Sequence, residues 1–205
     1  MRDASSLRER VLIFTAVLLF WVGVYLGIGR WGMTQGAWML SWDPVRFVPR
    51  ISFFVIPYLS AYIMPFVLFF VMHDRKRYRR FAITLAGTIA ACGAVFLAVP
   101  LAIARPPLET ISIFDWLLNG LYRVDGPTNL FPSLHVATAF LFAWGITLER
   151  PHWKLWMNGW AIAIALSTLF TRQHYFVDVL GGGVVAWVAW QFFENGRNAS
   201  YIRKT

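Results

Sequence analysis

Six polar residues of this 205-residue chain have the types and spacing that phosphate chemistry requires: Arg105, Ser133, His135, Arg172, His174 and Asp178. His174 and Asp178 stand four residues apart, which puts both on one face of a helix and lets the carboxylate fix the tautomer of the imidazole. A histidine oriented in this way is a competent nucleophile or base. In Phe131-Pro132-Ser133-Leu134-His135, Pro132 suits a first helical position, where its missing N–H is no loss. The amides of Ser133 and Leu134 then point outward at the positive end of the helix dipole, a ready anion site with His135 one turn further in. Arg105 and Arg172 supply permanent positive charge suited to phosphate oxygens. The implied chemistry is metal-free phosphoryl transfer. His174 attacks phosphorus, His135 protonates the departing alkoxide and then deprotonates the acceptor, and Arg105, Arg172, Ser133 and the helix-start amides hold the oxygens. The competing use of His135, His174 and Asp178 is as zinc ligands, but there is no H-E-x-x-H and no nearby cysteine.

These groups are set in a chain that is 58% hydrophobic, 18% aromatic and 14% charged. Soluble domains are roughly 45–50% apolar and about 25% charged, so a soluble monomer could not hide this surface. Disorder, a collagen-like chain and a disulfide scaffold are excluded, since the single cysteine, Cys92, can form no internal bridge. The net charge of +9 does not point to nucleic acid, because the basic residues cluster between apolar stretches instead of alternating with aromatics along a groove.

A helix needs about 20 apolar residues to cross the hydrocarbon core. Val11–Gly29, Ile51–Met72 and Phe81–Ala104 contain no charged residue, and Phe131–Leu148, Leu155–Thr171 and Gln173–Phe193 complete a predicted all-α bundle of six spans in a single domain, 1–205. Cytoplasmic loops are enriched in Lys and Arg. With the N-terminus inside, that face holds Arg2, Arg8, Arg10, Arg75, Lys76, Arg77, Arg79, Arg80, Arg150, Lys154, Arg197, Arg203 and Lys204. The opposite face keeps Arg30, Arg46, Arg50, Arg105, Arg123 and Arg172, so both termini are expected in the cytoplasm and the polar site at the outer face. The first span is followed by no small-residue cleavage site and reads as an uncleaved anchor, which fits a bacterial inner membrane.

Pro57, Pro65 and Pro100 fall inside spans and are expected to kink them. The Trp-rich loop Trp31–Arg50 suits the headgroup level, and Ile111–Tyr122 reads as a short interfacial helix with Ile111, Phe114, Leu117, Leu118 and Leu121 on one stripe. Gly181-Gly182-Gly183 follows no strand and precedes no lysine, so it reads as a helix-packing face and not as a phosphate loop.

Ala104-Arg105-Pro106-Pro107, Phe131 to His135 and Thr171 to Asp178 resemble, in order and spacing, the three signature motifs of the type-2 phosphatidic acid phosphatase superfamily. The resemblance implies a six-span membrane enzyme without a metal or other cofactor. It assigns Arg105 and Ser133 to phosphate, His135 as general acid, His174 as nucleophile and Asp178 as its orienting partner. Two positions depart from the usual pattern. Leu134 replaces the glycine of P-S-G-H, and Ser167 and Thr168 stand where the third motif has Ser-Arg, which leaves Arg172 as the substitute cation. The P-S-L-H form, the H-Y-F-V-D-V run and Asp43-Pro44-Val45-Arg46-Phe47-Val48-Pro49 are closer to the inositol phosphotransferase branch typified by inositol phosphorylceramide synthases. The leading expectation is hydrolysis of a lipid phosphate or diphosphate through a phosphohistidine. The alternative is headgroup transfer by the same residues. From another class, a transporter or scaffold would be favoured by broken spans or mid-membrane charges, and neither is evident in the sequence.

Overall fold

The computed structural model describes residues 6–34, 36–107 and 109–202. Arg2, Arg203 and Lys204 of the charge argument lie outside them. Eight α-helices follow in order among these residues: α1 (Leu7–Thr34), α2 (Val55–Ser60), α3 (Met64–Val71), α4 (Arg75–Ala98), α5 (Ile113–Val124), α6 (Leu134–Glu149), α7 (Lys154–Phe170) and α8 (Phe176–Ile202). An isolated parallel bridge joins Trp38 to Leu101.

Among the described residues, four helical stretches are long and apolar enough to cross a membrane: Leu7–Thr34, Ser52–Val71, Arg75–Ala98 and Phe176–Gly196. The second is α2 and α3 joined by 3-10 turns at Ser52–Phe54 and Ala61–Ile63. The latter break falls just ahead of Pro65, which has no N–H to give the Ala61 carbonyl. The outward faces of these stretches stay apolar, with Leu19, Phe70, Ile83 and Phe192 all exposed, a surface suited to lipid.

α6 is the centre of the bundle, packed on α3, α4, α7 and α8. It has ten buried residues, among them Leu134, Ala137, Leu141, Ala143 and Ile146, as expected of a helix that is apolar all round. With 16 residues, α6 is the shorter apolar helix, and α7 has 17. At 1.5 Å per residue each is roughly 24–26 Å long, less than the about 30 Å hydrocarbon core.

Three expected boundaries need correction. α4 stops at Ala98 instead of Ala104, because Val99 leaves the helix and Pro100 follows it; Pro100 therefore ends a helix and kinks none. Arg105 accordingly lies on an irregular segment, not at a span end. α8 starts at Phe176, so Gln173 and His174 precede it. α5 begins at Ile113 because Ser112 and Asp115 form a reciprocal capping box. Leu118 and Leu121 of the expected stripe are buried against Val55 and Tyr58, whereas Ile111 stands outside the helix and exposed.

One end of the bundle is held by charge. Glu9 pairs with Arg75 at 2.9 Å, and Arg77 with Glu149 at 2.9 Å. Arg10 stacks 4.6 Å from the Phe69 ring. The other end brings together the starts of α6 and α8, the end of α7 and the loops around them.

Candidate active site

Two glycines bring the starts of α6 and α8 into contact. A Cβ on Gly182 would lie 2.5 Å from the Ser133 carbonyl oxygen and 2.9 Å from Val136 Cβ, and one on Gly181 would lie 2.7 Å from Phe131 Cε2. At Gly183 such a carbon would meet nothing within 4 Å, so two of the three glycines form the packing face. Across this contact the Ser133 amide donates to the Asp178 carbonyl at 3.0 Å.

The start of α6 differs from expectation. Ser133 is the N-cap, its Oγ accepting from Val136 N at 3.3 Å, and Pro132 stands one place earlier, after a cis peptide bond. Pro132 is therefore not at the first helical position, because the cap needs a side-chain acceptor that proline lacks. The Ser133 amide, expected to face an anion, is taken by α8. Its hydroxyl proton remains available to a second acceptor.

Asp178 sits in the first turn of α8 and reaches back over it. Its Oδ2 accepts from Tyr175 N at 2.7 Å and from His174 Nδ1 at 3.3 Å. The four-residue spacing thus works across a helix start and not along a helix face. Asp178 is fully buried and His174 nearly so. A carboxylate can only accept, so Nδ1 carries the proton and the His174 lone pair is at Nε2.

His135 is held differently. Its Nε2 lies 3.0 Å from the Tyr58 carbonyl, its ring stacks on the Tyr58 ring at 4.1 Å and 13°, and Tyr62 meets it edge-on at 5.8 Å. A carbonyl also only accepts, so the neutral ring is the Nε2–H tautomer with its lone pair at Nδ1. The contact between the starts of α6 and α8 brings the turn that carries His135 against the turn that follows His174. Among the described residues no three of His, Cys, Asp and Glu group as a metal-ligand set.

The arginines are more engaged than their sequence positions imply. Arg105 donates through Nη1 to the carbonyls of Tyr122 (3.2 Å) and Asp125, and through Nη2 to Gly126 O (2.8 Å) and Gln173 Oε1. It therefore caps the carbonyl end of α5, a favourable place for a cation, and reaches the residue next to His174. Arg172, at φ 54°, donates to Val48 O at 2.6 Å and clamps the 46–48 loop. Arg50, which the sequence reading left without a role, donates to Pro107 O at 3.1 Å. Burial pushes the Tyr122 hydroxyl above its ordinary pKa, and the charges of Arg105, Arg50 and Arg172 oppose that shift, Arg105 lying 4.7 Å over the Tyr122 ring.

Ser167 and Thr168 turn their hydroxyls back into α7, onto Ile164 O and Ala165 O, and neither supplies a cation. Asp43, quoted above only as part of the Asp43–Pro49 run, positions the start of α8. Its carboxylate accepts from Val45 N (2.8 Å), Phe176 N (2.9 Å) and Val177 N (3.4 Å), capping α8 from a distant loop. Its signal was the Asp-Pro pair that opens a helical turn at Pro44.

The sequence matches the PAP2 superfamily over residues 26–192. It is also 31% identical over 89 residues to the inositol phosphorylceramide synthase catalytic subunit aur1 of Schizosaccharomyces pombe, a match covering 40% of this chain and 21% of that protein. The chain therefore spans about a fifth of the length of that curated relative.

Proposed function

Because this chain belongs to the PAP2 superfamily, we propose that it is an integral membrane lipid phosphatase working through a phosphohistidine on His174. The observation that carries this reading is the buried His174–Asp178 pair, which leaves Nε2 as the nucleophilic atom, with the Asp178 backbone joined directly to Ser133 at the start of the helix that carries His135.

His174 Nε2 attacks phosphorus, and the bond from phosphorus to the lipid oxygen breaks. His135 enters the step as the imidazolium, so the leaving oxygen takes the proton of its Nδ1 while Nε2–H stays on the Tyr58 carbonyl, and the ring is left as the neutral Nε2–H tautomer. Asp178 stabilises the charge on the imidazole, and the Ser133 hydroxyl with the field of Arg105 and Arg172 stabilises the phosphoryl oxygens. Water then gives a proton to His135 Nδ1 and attacks phosphorus, and the phosphorus–nitrogen bond breaks to release phosphate. The chain forms a single domain of six spans, α6 and α7 being short ones, with both termini cytoplasmic and the site at the outer leaflet of a bacterial inner membrane.

The likeness to aur1 favours a second reading, in which an alcohol of a lipid or headgroup replaces water as acceptor. The test is phosphate release from a panel of lipid phosphates and diphosphates by detergent-purified protein in excess chelator, with His174→Ala beside it. Release by the wild type and none by the variant is expected. Release by neither, together with acceptor-dependent transfer, would replace hydrolysis with the second reading.

A further inference from the structure

A buried carboxylate is costly unless it is hydrogen-bonded. Asp125, 8% exposed at the end of α5, has two phenol partners from two other helices. Its Oδ2 accepts from Tyr58 Oη of α2 at 2.9 Å, and its Oδ1 accepts a short bond from Tyr25 Oη of α1. At the same residue the main-chain carbonyl receives Arg105 Nη1. Tyr58 in turn stacks on His135 and holds its Nε2–H. Val55 and Leu118 pack around this cluster with no exposure. An apolar trio of similar volume would stabilise such a junction at least as well, so stability alone is a poor reason for three polar groups there.

We propose that Asp125 is a positioning residue for proton transfer by His135. Through Tyr58 it fixes the imidazole as the Nε2–H tautomer and leaves Nδ1 as the atom that exchanges the proton, while its backbone seats Arg105. The catalytic part of this inference rests on the role given to His135 above; the tautomer does not.

Two measurements on the full chain in detergent separate those parts. Nitrogen-15 histidine NMR, with His135 assigned by loss of its signals in His135→Gln, is expected to find the Nε2–H tautomer in the wild type and a mixture in Asp125→Asn and Tyr58→Phe. Steady-state kinetics on the panel above are expected to show kcat lower by on the order of ten- to a hundredfold, the scale of a small misplacement of a reacting group, with KM little changed. The double variant should lose no more than the worse single one. An unchanged His135 tautomer in Asp125→Asn, or a variant that melts earlier yet turns over normally, would overturn the proposal. If Asp125→Asn does not fold, Tyr25→Phe, which removes one donor and keeps the ring, gives the same decision. A wild type that turns over none of the panel sinks the phosphatase reading, and the tautomer comparison still decides the role of Asp125.

Discussion

The His174 and His135 side chains present different nitrogens, and that asymmetry separates their expected phenotypes. With Nδ1 of His174 tied to Asp178, Nε2 is where phosphorus would be held. Brief incubation with a phosphorus-32 lipid phosphate followed by an alkaline quench should leave acid-labile label on the wild type and none on His174→Ala. On His135→Ala the label should form more slowly, because the leaving oxygen lacks its acid, and the label that does form should decay more slowly, because release of the phosphoryl group lacks its base. Label surviving on His174→Ala would refute covalent catalysis at that residue. Asp43→Ala tests a residue that touches no reacting atom. Losing a cap costs roughly 0.5–2 kcal/mol, so the expected result is a lower melting temperature together with reduced kcat, since the start of α8 carries Asp178. A melting curve and a rate indistinguishable from wild type would show that the loop does not support α8.

Among the elements, the contact between α6 and α8 offers the sharpest comparison. Gly182→Ala forces a methyl carbon onto the backbone oxygen of Ser133, and overpacking of this kind costs about 1–3 kcal/mol. Gly183→Ala meets open space and should fold and turn over as the wild type does. Equal melting temperatures for the two variants would mean that the helices do not meet as described. This packing was legible beforehand, because glycines that follow no strand and precede no lysine have little other use in an apolar helix. The ends of α4 and α8 were less so. Hydropathy continues through Val99 to Ala104, so the apolar run hides the stop that Pro100 imposes, and His174 reads as helical until the caps from Asp43 and Asp178 are seen. Arg105 was recognised as a cation near phosphate chemistry, but its partners are carbonyls at the end of α5, and one-dimensional spacing does not reveal which turn will come to rest beside it. Asp125 escaped for the same reason, since its phenol partners lie 67 and 100 residues away.

On the scale of the whole molecule, charge ties one end of the bundle and the site occupies the other, which makes orientation measurable. Cys92 is buried, so cysteines introduced in a Cys92→Ala background report cleanly. A cysteine at Trp116, on exposed α5, should react with an impermeant maleimide added to intact cells, whereas one at Lys76 should react only after permeabilisation. The reverse pattern would invert the proposed topology. α5 also has a consequence for how turnover depends on concentration. It is bolted to the start of the second span by the Ser52–Asp115 bond and to the site through Arg105, and it leaves Ile113 and Trp116 bare. On the proposed function, a catalytic centre held beneath such a helix would meet its substrate by lateral diffusion. Its rate should follow the mole fraction of substrate in a mixed micelle and stay constant when substrate and detergent are raised together, so that dilution within the surface, and not in the bulk, governs the enzyme.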